Sequence, residues 1–276
     1  MNASITAACA ILLIGSAAAH AQATGPRLAP HRAVYDLSLD KSAGARTIEA
    51  ARGRIAFDFT GDACEGYALK FRQVTELTSG ESGTKLSDLR TANFESADGR
   101  SFRFRNETGS GGPPASTIDG TADRKADGPL AVRLKNPKRE SVSVDGGAVF
   151  PNVQMRDLIA AARDGRTTFQ VKVFDGSDDG KTVYDTLSVI GKRIEPGRTE
   201  GLEDAAKQDG LAKLARWPVT MSYFKGGKAD GTPVYVLSFD LYENGVSRNL
   251  KLDYGDFALR GVMSRLELLP EKACSR

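Results

Sequence analysis

Ala33-Val34-Tyr35-Asp36-Leu37-Ser38-Leu39 and, beyond a turn, Arg54-Ile55-Ala56-Phe57-Asp58-Phe59 are the stretches that decide the fold. Ala33, Tyr35, Leu37 and Leu39 share one face, while Arg32, Asp36 and Ser38 share the other. A period of two is the pleat of a strand and not the turn of a helix. Ile55, Phe57 and Phe59 alternate in the same way against Arg54, Ala56 and Asp58, with Lys41 to Ala45 read as the intervening turn. One buried and one wetted face on each strand suit antiparallel pairing.

The same alternation returns downstream. Tyr67, Leu69 and Phe71 oppose Lys70 and Arg72; Ser82-Gly83 breaks the chain; and Lys85 to Phe94 reads as a further strand. Asp98-Gly99 is a hairpin signal, followed by Phe102 and Phe104 between Arg103 and Arg105. Gly109 to Pro114 is a flexible loop, because strand patterns resume at Ser116 to Arg124 and Ala131 to Leu134. In the second half Phe169, Val171 and Val173 lead to the turn Asp175 to Gly180, and then Val183, Asp185, Leu187 and Val189 alternate. Val219-Met221-Tyr223, Val234 to Tyr242, Leu250-Leu252-Tyr254 and Val262 to Leu269 follow, separated by Gly226-Gly227 and Asn244-Gly245. Roughly a dozen short strands punctuated by Gly and Pro predict a mainly β protein. A large, strongly curved antiparallel sheet is the economical arrangement, because curling removes exposed edges.

Two helices are expected. Over Pro151 to Arg163, Met155, Leu158, Ile159 and Ala162 recur at helical spacing, and Gly165 is placed to end the helix. Such a helix plugs or covers a sheet. Glu203 to Arg216 is the weaker candidate, Ala-rich but interrupted by Gly210 and closed by Trp217-Pro218.

Residues 1–23 read as an export signal. The apolar run Ile5 to Ala19 has the length of a signal h-region and falls short of a membrane span. Ala19-His20-Ala21 and Ala21-Gln22-Ala23 are both small-residue cleavage sites, so cleavage is expected after Ala21 or Ala23. The run lacks a leading Lys or Arg, and an N-terminal buried helix is the alternative reading. Cys9 lies early in the apolar run, with most of it still to follow, whereas a lipid-bearing cysteine comes after such a run. No later segment is apolar enough to span a bilayer, so residues 24–276 are expected to form one β-rich periplasmic domain. Cys64 and Cys274 then remain. In an oxidising compartment such a pair favours a disulfide over a metal site or a nucleophile, with two buried thiols as the alternative.

Composition excludes further classes. The chain is 40% apolar and 26% charged, which suits a folded protein, and its net charge of +3 is too small to imply nucleic acid. Basic residues are interleaved with acidic ones, as in Lys135-Asn136-Pro137-Lys138-Arg139-Glu140. Beyond the signal the single histidine is His31, read as a surface or packing residue, and no G-x-S-x-G elbow accompanies it. Asp175, Ser177 and Asp179 stand where an EF-hand loop begins, but Thr186 replaces its closing Glu and the flanks read as strands. A simple turn is the expected reading of Asp175 to Asp179, with weak cation binding as the alternative. Glu65, Asp88 and Glu243 are expected to be solvated. No catalytic residue, metal site or cofactor is assigned.

Pro30-His31-Arg32-Ala33-Val34-Tyr35-Asp36-Leu37, Phe174 to Gly180 followed by Tyr184-Asp185-Thr186, and Trp217-Pro218-Val219 ahead of Ser222-Tyr223-Phe224 carry a resemblance. Together with the signal and the cysteine pair, they resemble the EipB family of cell-envelope-integrity proteins over the whole exported chain. The resemblance implies a periplasmic, spiral-like β fold with an internal disulfide and no established enzymatic activity. It also implies a role in envelope integrity and a tetratricopeptide-repeat protein as partner.

Three functions are then open. The first is a non-enzymatic periplasmic factor that binds proteins, lipid or cell-wall components on its curved sheet. The second is a carrier of a lipid or a lipoprotein acyl chain inside the curl. The third is a wall hydrolase using paired carboxylates, weakened by the single Trp, since glycan clefts draw on stacking aromatics.

Overall fold

The computed structural model describes residues 25–43, 48–80, 83–124, 128–226, 231–271 and 274. The export signal and Cys9 lie outside the described residues. In chain order the elements are β1 (His31–Ser42), β2 (Ile48–Asp62), β3 (Gly66–Ser79), β4 (Gly83–Ser96), β5 (Ser101–Gly109) and β6 (Ser116–Arg124). They continue with β7 (Leu130–Asn136), β8 (Glu140–Val144), α1 (Pro151–Arg163), β9 (Thr168–Val173) and β10 (Tyr184–Ile190). A 3-10 turn (Asp204–Ala206), α2 (Asp209–Ala212), β11 (Arg216–Lys225), β12 (Tyr235–Tyr242), β13 (Ser247–Asp253) and β14 (Phe257–Leu268) complete them.

The expected curved antiparallel sheet is present as one 14-stranded sheet, ordered β8-β7-β6-β5-β4-β3-β2-β1-β14-β13-β12-β11-β10-β9. Every step is an antiparallel neighbour in sequence except one: β1 pairs with β14, so the two ends of the chain meet in mid-sheet. The sheet does not close. Its edge strands are β8 and β9; past the end of β8, Val149 makes one parallel bridge to Val173 of β9, where Val149 N–H donates to Lys172 O and Phe174 N–H to Val149 O.

The inner face and α1 share the main core. Leu158, Ile159 and Ala162 of the helix pack with Tyr35, Ile55, Phe59, Trp217, Met221 and Leu259. A second cluster, built on Phe102, Phe104, Leu130, Val132, Phe150 and Phe174, fills the curl of β5 to β7. Phe150 sits immediately before α1, so the helix joins the two clusters. Its C-terminus is closed by Gly165 at φ 73°, with Arg166 N–H on Ala161 O and Gly165 N–H on Ala162 O. That double bond satisfies carbonyls a helix end would leave bare.

Three expectations are corrected. β1 runs on through Ser42, so strand occupies the start of the proposed Lys41–Ala45 turn. Glu203–Arg216 is not one helix but the 3-10 turn and four-residue α2; Gly210 lies in α2, and Arg216 to Pro218 already belong to β11. Pro218 is tolerated there because it lies one residue past the last β10 pairing, Ile190 with Val219. β10 also buries the unexpected face: Thr186, Ser188 and Ile190 point inward, while Val189 is 50% exposed.

Candidate functional site

Two of the open spaces along the sheet bear on function. The inner one is a chamber of about 560 Å³ between β3 to β6, the start of α1 and the turn after β9. Its wall is mixed. Leu69, Leu89 and Tyr223 supply apolar surface, and Asn93, Asn106 and Asp175 supply polar groups. Asn106 Nδ2 donates to Gly176 O at 2.9 Å, and Thr91 donates to Asn106 Oδ1 at 2.7 Å. Burial pushes the Asp175 carboxyl up, opposed by hydrogen bonds from Ser177, and burial pushes the Tyr223 phenol up as well. From Tyr223 a row of rings runs around the inner face. Tyr184 meets Tyr223 at 6.0 Å, Tyr223 meets Tyr235 at 6.0 Å, Tyr235 meets Tyr254 at 5.2 Å and Tyr254 meets Phe257 at 5.0 Å. The row follows the register: Tyr223 stands opposite Tyr235 on adjacent strands.

The outer space is a trough of about 560 Å³ crossing β14, β1, β2, β3, β4 and β5. Two register rows build it. One reads Arg265, Val34, Ala56, Arg72, Arg90, Glu107; the other reads Glu267, Arg32, Asp58, Lys70, Ala92, Arg105. Small residues at Ala56 and Ala92 make the floor, and the charges stand around it. Sequence alternation alone put Arg32, Asp58, Lys70, Arg72 and Arg105 on wetted faces. Lining them up across strands needed the register, above all the β1–β14 pairing.

Beneath the trough Asp88 departs from expectation. It is only 3% exposed, because Arg72 and Arg90 each clamp it through Nε and Nη2, the two Nη2 contacts being 2.9 and 2.7 Å. The Arg72 and Arg90 hydrogen bonds hold its carboxyl down to about 2. Glu65 is exposed as expected. Glu243 is half-buried rather than free, accepting from Ala215 N–H at 3.3 Å and lying 3.5 Å from Arg163.

His31 is a packing residue and not a surface one. It is 4% exposed, its ring is stacked 5.1 Å from Phe57, and Nδ1 lies 2.8 Å from Ala29 O. Burial pushes its imidazole below the ordinary value, which disfavours the charged form. In the Asp175 to Asp179 turn, Asp175 and Asp179 face their own loop, while Asp178 pairs with Lys225 of β11. Asp175 accepts from Ser177 N–H, and Asp179 accepts from Lys181 and Thr182 N–H. These are side-chain turns of the ordinary Asx kind. Cys64 and Cys274 are joined, with Cα atoms 5.7 Å apart.

Glu95 is the acid that sequence reading passed over. It is 1% exposed, and its two oxygens accept from Asn152 N–H at 2.7 Å and Val153 N–H at 3.0 Å at the start of α1. The acid comes from β4 and not from the helix, so no local capping pattern announces it. Burial raises its carboxyl to about 7 against the pull of those two bonds. No helix among the described residues is long and apolar enough to cross a membrane.

Comparison with known proteins agrees with this architecture. The chain is 38% identical over 256 residues to the cell envelope integrity protein EipB of Brucella abortus (strain 2308), covering 92% of this chain and 89% of that relative. A crystal structure of a beta-barrel-like protein, from a domain of unknown function in Brucella abortus, superposes with a TM-score of 0.81 at 37% identity, over 88% of this chain and 99% of that one. The EipB-like family model matches residues 22–270, and the chain belongs to the EipB-like family.

Proposed function

We propose that the protein is exported to the periplasm and supports the cell envelope by binding other envelope components on its curved sheet, without chemistry of its own. The similarity to a relative named for cell envelope integrity supports the role. The observation that carries the binding reading is how the reactive groups are spent. Asp88 is clamped by two arginines, Glu95 is held by the backbone of α1, His31 is sunk against Phe57, and the cysteines are bonded to each other. A nucleophile or a general acid needs a free face toward substrate. What stands open instead is surface: a charged trough outside and a mixed chamber inside.

The chamber favours a second reading, carriage of a lipid or lipoprotein acyl chain. Leu69, Leu89, Ile118 and Tyr223 line the chamber and are only partly buried, and the tyrosine row continues from Tyr223, as in pockets that await an apolar occupant. The test is crosslinking in the periplasm, followed by gentle affinity purification and mass spectrometry of both proteins and lipids. A reproducible protein partner, such as a tetratricopeptide-repeat protein, without stoichiometric lipid supports the binding factor. Lipid near one per chain makes the carrier reading primary, and neither product removes both.

A further inference from the structure

The centre and the ends of the outer trough are charged differently. At its ends each arginine is matched by two carboxylates: Arg32 by Asp58 and Glu267, Arg105 by Glu107 and Asp119. In the centre Arg72 and Arg90 share the single carboxylate Asp88. Lys70 and Arg265 have no carboxylate within ion-pair distance among the described residues, and both are exposed. The centre therefore holds three cations, Lys70, Arg72 and Arg90, against the one anion Asp88, while Arg265 adds an exposed cation at the β14 end and Arg32 and Arg105 are each outnumbered by their carboxylates. Its floor is apolar and shallow, formed by Val34, Ala56 and Ala92.

That pattern selects among anions. An extended acidic peptide would add to a sheet through main-chain hydrogen bonds at a free edge. The trough instead lies in mid-sheet, where each of β1 to β5 is paired on both sides. Guanidinium and ammonium groups around a small apolar floor suit a phosphate with hydrocarbon attached to it. Arg265 offers a guanidinium fork and Lys70 a point charge, neither in an ion pair among the described residues, and the floor accepts the glycerol and first methylenes. Six strands at about 4.8 Å spacing make the row about 24 Å long, room for more than one head group.

We propose that this trough seats the phosphate head groups of anionic phospholipid, so that the protein rests with the β14-to-β5 face on a membrane leaflet. The proposal rests on the envelope-binding reading above and names one component of it.

The test is co-sedimentation of the exported chain with vesicles of phosphatidylcholine, alone or with about one third phosphatidylglycerol. Binding to the anionic vesicles is expected to be at least tenfold tighter and to weaken as salt is raised. Lys70→Gln combined with Arg265→Gln breaks no ion pair among the described residues and should weaken anionic binding about 30-fold. Asp88→Asn works in the opposite direction: it frees both guanidinium groups and should tighten binding about fivefold. Circular-dichroism melts confirm that each variant is folded at the assay temperature. Equal binding to both vesicles, or wild-type binding by the double variant, overturns the proposal. Displacement by oligo-glutamate more readily than by short-chain phosphatidylglycerol would assign the trough to an acidic protein and overturn it as well. If the vesicle assay fails while a crosslinked envelope partner persists, the trough proposal falls and the broader reading stands.

Discussion

Asp88 and Glu95 project from opposite faces of β4, and their surroundings push their protons in opposite directions. Asp88, held down to about 2 first by Arg72 and then by Arg90, stabilises the fold in its charged form. That contribution is complete above the ordinary value of 3.8 and is lost as pH falls toward 2. The arginines are about half exposed, so solvent screening reduces it to about 1–2 kcal/mol. Asp88→Asn should cost that much at neutral pH and nothing at pH near 2, read from urea midpoints at both. Glu95 behaves conversely. Its folded pKa of about 7 lies above the ordinary 4.5, so the folded chain keeps a proton that the unfolded chain releases in between. Stability from this residue is greatest below pH 4.5 and declines as pH rises through 7, by up to about 3 kcal/mol. Glu95→Gln should flatten that decline in the same measurement; an unchanged slope would show that the α1 backbone bonds hold the carboxylate charged. Neither role was legible beforehand, because each depends on a partner from another element.

At the scale of elements, legibility followed locality. The span and end of α1 could be read because helix spacing and the Gly165 stop are written within a few residues. Most strands could be read from alternation. β10 could not be phased that way: the core takes Thr186, whose hydroxyl donates to Val171 O and accepts from Gln154, and Ser188 is buried beside it although its hydroxyl finds no hydrogen-bond partner among the described residues. The Glu203–Arg216 segment failed for a different reason. Its conformation is dictated from outside, by Arg248, which bonds Glu203, Asp240 and Gly201 O together, and by Arg216 Nη1 on Arg198 O. Arg248 and Arg216 are each 5% exposed, so this is a buried ion cluster that clamps a coil to β12 and β13. Removing one member leaves its partners charged and dry. Arg248→Ala should therefore destabilise the protein by about 3–5 kcal/mol. Hydrogen exchange should show the loss first at residues 201–206; a variant that melts with wild type would mean the cluster contributes nothing net.

At the scale of the molecule the curved sheet was legible, but its path was not. A chain of hairpins predicts neighbours β1 to β8 and β9 to β14, since each turn is local. Nothing local announces that β1 and β14 pair, and both the main core and the outer trough depend on that seam. Pairing the first strand with the last requires the chain to close on itself, and loop closure over such a length is costly in entropy. The Cys64–Cys274 bond bears on this step. It ties the tail after β14 to the β2–β3 turn, reaching across the end of β1, so the seam strands β14 and β1 stay together with β2. Its sequence separation is 210 residues. For a loop of that size the chain-entropy model gives on the order of 5 kcal/mol, most of it drawn from the unfolded state. Cys274→Ser should lower unfolding stability by about 3–5 kcal/mol, and the wild type in reductant should melt with the variant. Equal midpoints for oxidised and reduced wild type would mean that the β1–β14 ladder holds the ends without the bond. If the variant instead falls while hydrogen exchange in β1 and β14 rises before that in β5 to β7, the seam is where the bond acts.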